Sequence, residues 1–181
     1  MTDFLQAYPD GVIVALDQMS LYFQATLTRL WSPIGQTPIV AVHPQRNCTY
    51  FYGALNLCNG HEIAMRADVQ NSETTANFVR QLLTIYRQPI LLLLDRASWH
   101  YGDLSRLVEQ TDRLQIMRFP VACPELNPQE HVWERARDAI SHNHTYRRFE
   151  TLIDHFEQFL NETPFQTNFL DKYIPKGWRH F

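Results

Sequence analysis

Hydrophobic positions along this chain fall into a few kinds of run, and each predicts a different element. Val12 to Leu16 and Ile90 to Leu94 are unbroken apolar stretches, VIVAL and ILLLL. Aliphatic runs of this length without a polar break predict strands buried on both faces. Thr49 to Leu57 and Glu62 to Ala67 flank Asn59-Gly60, a strong tight-turn signal, so these two strands are expected to pair antiparallel. Apolar residues at helical spacing mark the rest. Ala76, Val79, Leu82, Leu83 and Tyr86 line one face of a helix capped by Asn71 and running to about Arg87. A helix near Tyr101 to Glu109, a short strand from Leu114 to Phe119 and a proline-rich loop from Pro120 to Pro128 follow. The next helix is expected from Asn127 to about Ile140. Phe149, Leu152, Ile153, Phe156, Phe159 and Leu160 define a last amphipathic helix over Tyr146 to Asn161.

The order is therefore strand, hairpin strands, helix, strand, helix, strand, helix, helix. A hairpin followed by strand–helix–strand units predicts an α/β domain: a mixed central sheet with an antiparallel hairpin and helices on both faces. That order matches the ribonuclease H-like fold, in which the first strand and the strand after the first helix are neighbours. Asp17 and Asp95 are then expected side by side. Residues 1–162 are expected to form this domain. Residues 163–181 lack periodicity and are expected to be a tail, flexible or contacting a partner; Trp178, with Lys176 and Arg179, reads as either.

The bulk numbers narrow the classes. The chain has 181 residues, 45% of them hydrophobic and 19% charged, enough for one domain with a proper core. A net charge of −3 gives no global nucleic-acid signature, so DNA binding would need a local basic surface or metal-bridged phosphates. The basic residues are 14 Arg and two Lys, a bias that suits bidentate phosphate contacts. Cys48, Cys58 and Cys123 are scattered, which argues against a zinc site or disulfide framework. With no signal-peptide pattern and no apolar run long enough to span a bilayer, a soluble cytoplasmic chain is expected.

Three carboxylates carry the candidate chemistry. Asp17 ends GVIVALD, Asp95 ends PILLLLD, and Glu130 lies in PELNPQEHVW, where a Pro-rich turn opens a helix. Desolvating a carboxylate is costly, and strand ends in α/β sheets are where ligands collect. Two strand-end Asp residues and a helix-borne Glu suggest a cluster for hard divalent cations. Each has a plainer reading. Asp17 is a common turn residue. Glu130 falls at the third position of a capping box opened by Asn127 and Pro128, which explains Asn, Pro and Glu without catalysis. On the residues alone, both readings of Glu130 stand.

Several segments carry a family resemblance. VIVALDQMSLYFQATLTRLWSPIGQTP, YGALN, LLLLDRASWH and PELNPQEHVWERAR resemble, in family order, the DDE transposase domain of the mariner-like superfamily, most closely its bacterial insertion-sequence branch. The similarity runs from about Val12 to Ile140, and 34 residues separate Asp95 from Glu130, a spacing used in that superfamily. The resemblance implies that Asp17, Asp95 and Glu130 are the catalytic, metal-binding triad. It implies a divalent-metal-dependent endonuclease and strand transferase, with two Mg²⁺ ions and Mn²⁺ as a substitute. It also implies DNA, both element ends and target, as the substrate, and a homodimer. The other classes carried forward are an impaired remnant that binds DNA or a partner transposase, and another ribonuclease H-like nuclease.

Two neighbours of the triad depart from that family. Gln18 stands where many relatives have Glu, and Arg96 where Asn is usual; Arg96 either competes with metal or clamps a phosphate. His100 matches the family's DNAxxH histidine and is expected to contact phosphate or a supporting carboxylate, or to be a core residue. Arg135, Arg137, Arg147 and Arg148, with His142 and His144, form a locally basic stretch that either follows a DNA backbone or is a solvated helix connection. Trp31, Trp99 and Trp133 are expected in the core or at hinges. In the family, Trp31 to Pro38 is expected to shape the DNA channel or subunit contacts. The stretch before the first strand is too short for a helix-turn-helix, so end recognition is expected either from a separate helix-turn-helix polypeptide of a split element, or from a segment trimmed away, or to be lost in a remnant.

Overall fold

The computed structural model describes residues 1–40, 42, 44–121, 123–166, 168 and 172. Trp178, Lys176 and Arg179 lie outside the described residues. Five strands form one sheet in the order β3-β2-β1-β4-β5. They are β1 (Val12–Tyr22), β2 (Cys48–Asn56), β3 (Glu62–Ala67), β4 (Ile90–Leu94) and β5 (Leu114–Arg118). β1 pairs antiparallel with β2, and β2 with β3; β1 pairs parallel with β4, and β4 with β5. This is the mixed sheet expected, with the hairpin on one side and the crossover strands on the other. The helices are α1 (Thr2–Ala7), α2 (Ser72–Ile85), α3 (Asp103–Glu109), α4 (Pro128–Ala136) and α5 (Phe149–Glu162).

Alternation along the strands sorts the core into two layers. Val12, Val14 and Leu16 of β1, with Ile90, Leu92 and Leu94 of β4, pack against Phe78, Val79 and Leu82 of α2 and Leu104 and Leu107 of α3. Ile13, Ala15, Met19, Leu91 and Leu93 face the other way, against α1, α4 and α5. Asp17 continues the odd-numbered series of β1 and Asp95 that of β4, so both belong to the α4 side.

Three boundaries differ from expectation. β1 does not stop at Leu16; it continues to Tyr22 because β2 pairs with it as far as Cys48. Asp17 is therefore inside a strand, at the point where β1 has outrun β4, whose pairing ends at Ala15–Leu93. α1 was not signalled: six residues cannot display helical periodicity, and the helix is fixed by burying Phe4 and Leu5. The helix expected to reach Ile140 changes at Arg137 into a π-helical turn, Arg137–Ser141. Beyond α5, Phe165 is buried and its backbone N–H donates to Gly60 O at 2.8 Å. No helix among the described residues is long and apolar enough to cross a membrane.

Candidate active site

Asp17, Asp95 and Glu130 line one pocket of about 270 Å³, together with Arg96, Ala97, Phe119, Pro120, Val121, Cys123 and Asn127. The pocket opens beyond the C-terminal end of β4, the crevice position that open α/β sheets favour for ligands. Each carboxylate is delivered by a different device. β1 carries Asp17 into the interior, only 9% exposed, where the Trp133 indole N–H donates to its Oδ2 at 3.2 Å. Asp95 follows the last residue of the all-buried β4. Its Oδ1 accepts the Ala97 backbone N–H at 2.9 Å and lies 2.8 Å from His100 Nδ1.

Glu130 comes from α4, whose start is fixed by Pro128 in its first turn and by Asn127. The Asn127 side chain accepts from Gln129 N at 3.1 Å. The Glu130 side chain returns no hydrogen bond to Asn127 and has no ion-pair partner among the described residues. The capping-box reading of Glu130 is thus not realised, although the Asn cap is. Glu130 is exposed, beside a buried row of Gln129, Val132, Trp133 and Ala136.

Electrostatics separate the two aspartates. Burial, reinforced by the charges of Glu130 and Asp95, pushes the Asp17 carboxyl from 3.8 up to about 7, against the hydrogen bonds from the Gln18 backbone and Trp133. Asp95 is held below its usual value, chiefly by the His100 hydrogen bond, with Ala97 and Arg118 assisting against partial burial. Arg96 forms no ion pair among the described residues; its Nε donates to Phe119 O at 3.3 Å. The carboxylates thus share the pocket with Arg96 at its wall, and the Arg118 and His100 charges act on Asp95 alone. Oxygen-only donors at such a point suit Mg²⁺ or Mn²⁺. Among the described residues no three His, Cys, Asp or Glu side chains stand close enough to form a ready-made cation cage.

Several expected roles change. Of the readings given above for His100, a contact with phosphate, with a supporting carboxylate or a place in the core, its complete burial and its 2.8 Å approach to Asp95 match the second and third. Its Nε2 lies 3.0 Å from Gln18 Oε1, which also accepts the Trp99 indole N–H at 2.7 Å. Gln18 thus ties the strand of Asp17 to the turn after Asp95. Arg118 completes that turn, donating to the backbone oxygens of Asp95 and His100 at 3.1 and 2.8 Å. His144 is buried against Phe23, and His142 lies 2.8 Å from Asp138, so neither extends the basic surface. Arg135, Arg147 and Arg148 are exposed and Arg137 is half-buried. Trp31 is not a core residue but fully exposed, on a long arm between β1 and β2 that also exposes Ile34 and Ile39.

The part Arg118 plays at the site was not read from the sequence at all, and Trp133 was read only as a core or hinge residue although it lies one helical turn after Glu130. Gln18 was singled out only as a departure beside the triad, not for its hydrogen bonds.

The chain is similar to proteins of DNA transposition. An insertion element IS630 protein of 39 kDa from Shigella sonnei is 22% identical over 147 residues, 80% of this chain and 43% of that protein. The Mos1 strand transfer complex superposes with a TM-score of 0.66 at 14% identity, covering 92% of this chain and 52% of the Mos1 chain. The mariner Mos1 paired-end complex with Mg gives 0.65 at 16% identity, covering 92% and 53%. At such identities these structures establish the fold, the ribonuclease H-like arrangement expected from the element order. The chain spans less than half the length of the bacterial relatives it matches. The DDE superfamily endonuclease model matches residues 12–153, a span that contains all three carboxylates and most of the chain, and the protein belongs to that family.

Proposed function

We propose that this chain is the catalytic domain of a bacterial insertion-sequence transposase. It cleaves DNA at the element ends and transfers the exposed 3′-hydroxyl to target DNA, with Asp17, Asp95 and Glu130 as the catalytic and metal-holding triad. The observation that carries the reading is the convergence of these carboxylates, from two strands and a helix far apart in sequence, on one pocket within the family-matched span. When bound, two divalent ions, Mg²⁺ with Mn²⁺ as a substitute, would activate the attacking oxygen and stabilise charge on the leaving one.

The chain's own residues do the rest. Trp133 and the Gln18 backbone orient Asp17, His100 and Ala97 fix one oxygen of Asp95, and α4 presents Glu130 at the pocket. Arg96 at the pocket wall, unpaired with the carboxylates, takes a DNA phosphate. Arg135, Arg137, Arg147 and Arg148 follow the backbone further out. The exposed arm bearing Trp31, Ile34 and Ile39 supports pairing of two copies, since apolar side chains so exposed favour burial. End recognition rests with a helix-turn-helix element outside this domain.

The test is nicking of an oligonucleotide duplex carrying an element end, with Mg²⁺ or Mn²⁺. Cleavage by the native sequence and none by Asp95→Asn is expected; the Asn keeps an oxygen for Ala97 and His100 but loses the charge. Metal-independent DNA binding without cleavage by the native chain would instead identify a remnant. Cleavage confined to RNA–DNA hybrids would identify a different nuclease.

A further inference from the structure

Beneath the first turn of α4 lies a buried polar pair that the chemistry above does not use. Glu62, the first residue of β3, is 1% exposed, and Gln129 of α4 is completely buried. Gln129 Nε2 donates to Glu62 Oε1 at 2.6 Å. The remaining atoms, Glu62 Oε2 and Gln129 Oε1, are both buried without a partner. Among the described residues Glu62 forms no ion pair. Room for the pair is made by Gly53 of β2, which is registered with Asp17 on one side and Ala64 on the other. A methyl group on Gly53 would overlap Gln129 Nε2, Glu62 Oε1 and the Trp133 ring.

The two orphaned atoms are complementary in one protonation state only. An ionised Glu62 offers acceptors alone and leaves the amide oxygen of Gln129 facing no donor. A protonated Glu62 carries an O–H that the Gln129 amide oxygen would accept while Oε1 keeps the amide N–H, which would satisfy both orphans. Burial raises the Glu62 carboxyl well above its usual value, and the Asp17 charge adds to this, against hydrogen bonds from Gln129 and the Ala54 backbone. The neighbours agree: β1 presents the Asp17 carboxyl, the end of α2 the Tyr86 hydroxyl, itself raised chiefly by burial, and α4 the neutral amide. α5, packed on β3, presents Asn161, already engaged with Ala64 N at 3.1 Å. None of these is a cation.

We propose that Glu62 is kept as a neutral carboxylic acid in a reciprocal pair with the Gln129 amide, and that this pair is the positioning device that seats α4 on the sheet. It thereby sets where Glu130, the next residue, enters the pocket. The inference rests on the reading of Glu130 as a triad member, but the pair itself is testable without catalysis.

Glu62→Gln preserves the reciprocal geometry with two amides and removes the proton requirement; Gln129→Leu removes the pair. Infrared difference spectra of the metal-free protein at about pH 6 should show one protonated-carboxyl carbonyl band lost in Glu62→Gln. Because the folded value is raised, Glu62 contributes stability below 4.5 that is lost as pH rises toward its folded value. Thermal melts of Glu62→Gln should fall less steeply over that range than those of the native chain. Element-end nicking should survive Glu62→Gln and drop roughly 10–100-fold in Gln129→Leu, the usual cost of losing support behind a ligand. An unchanged carboxyl band, or melts of Glu62→Gln below native at every pH, would overturn the pair. Nicking that survives Gln129→Leu would overturn the positioning role. A native chain that never nicks would sink the triad reading while the spectra and melts still decide the pair.

Discussion

The Trp133 indole N–H donates to Oδ2 of Asp17 at 3.2 Å, linking the helix that carries Glu130 directly to the strand that carries the buried aspartate. The contact lowers the cost of an ionised Asp17 and fixes the distance between two of the three carboxylates. Trp133→Phe keeps most of the ring in the core and deletes the donor. Loss of a hydrogen bond to a charged group should cost about 1–3 kcal/mol of stability. Mn²⁺ affinity, measured by titration calorimetry, should fall about 10–100-fold. Affinity unchanged by the substitution would show that the indole only packs.

Asp95 depends on His100 in a similar way. The imidazole is buried with one nitrogen on the carboxylate and the other on Gln18, so it has nowhere else to turn. His100→Ala frees the carboxylate to rotate and removes the largest influence holding it below its ordinary value. Mn²⁺ affinity should drop about 10–100-fold, while affinity for DNA without metal stays unchanged. A matching loss of DNA affinity would return His100 to the DNA surface, contrary to its burial.

Much of this was legible in the residue pattern. The apolar runs at Val12 and Ile90, the Asn59-Gly60 turn and the Asn71 cap are local signals, and local signals fixed the strand order and brought Asp17 beside Asp95. What stayed hidden was tertiary. The extension of β1 through Asp17 depends on β2, where the register partner of Asp17 is Gly53, 36 residues further along the chain. Glu62, Gln129 and Arg118 look unremarkable alone and acquire roles only from groups far along the chain. Glu130 was ambiguous for a different reason: capping and ligation ask for the same residue at the same helix position, and only the side chain's lack of a cap partner separates them.

Arg96 offers a charge test. Its guanidinium borders the pocket but pairs with no carboxylate among the described residues. Arg96→Ala should weaken binding to element-end DNA uniformly across sequences and reduce the salt slope by about one ion. Mn²⁺ affinity should hold. If Arg96→Ala instead tightens Mn²⁺ binding, the arginine competes with metal rather than holding phosphate.

Gly53 has no side chain because three groups occupy the space where one would stand. Gly53→Ala forces apart Gln129, Glu62 and Trp133, the contacts beneath α4, and should destabilise the fold by about 1–3 kcal/mol. Denaturant melts measure the loss directly. Because the overlap is with side chains and not with the sheet backbone, the circular dichroism spectrum should stay native. A neutral Gly53→Ala would mean that α4 sits higher above the sheet than the structure places it.

The Asp17 carboxyl gives the metal-free protein a definite pH dependence. Its ordinary value of 3.8 rises to about 7 in the fold. A raised folded value means that its stabilising contribution is complete below about 3.8 and lost as pH climbs through about 7. The loss from this one group is on the order of 4 kcal/mol, and Asp17→Asn should flatten it in melts of the metal-free protein. A divalent ion reverses the sign, because it binds the ionised form and competes with the proton. Mg²⁺ should therefore raise the melting temperature strongly at about pH 8 and little at about pH 5.5. An equal rise at both would remove Asp17 from the ligand set and leave the buried aspartate as a purely structural group.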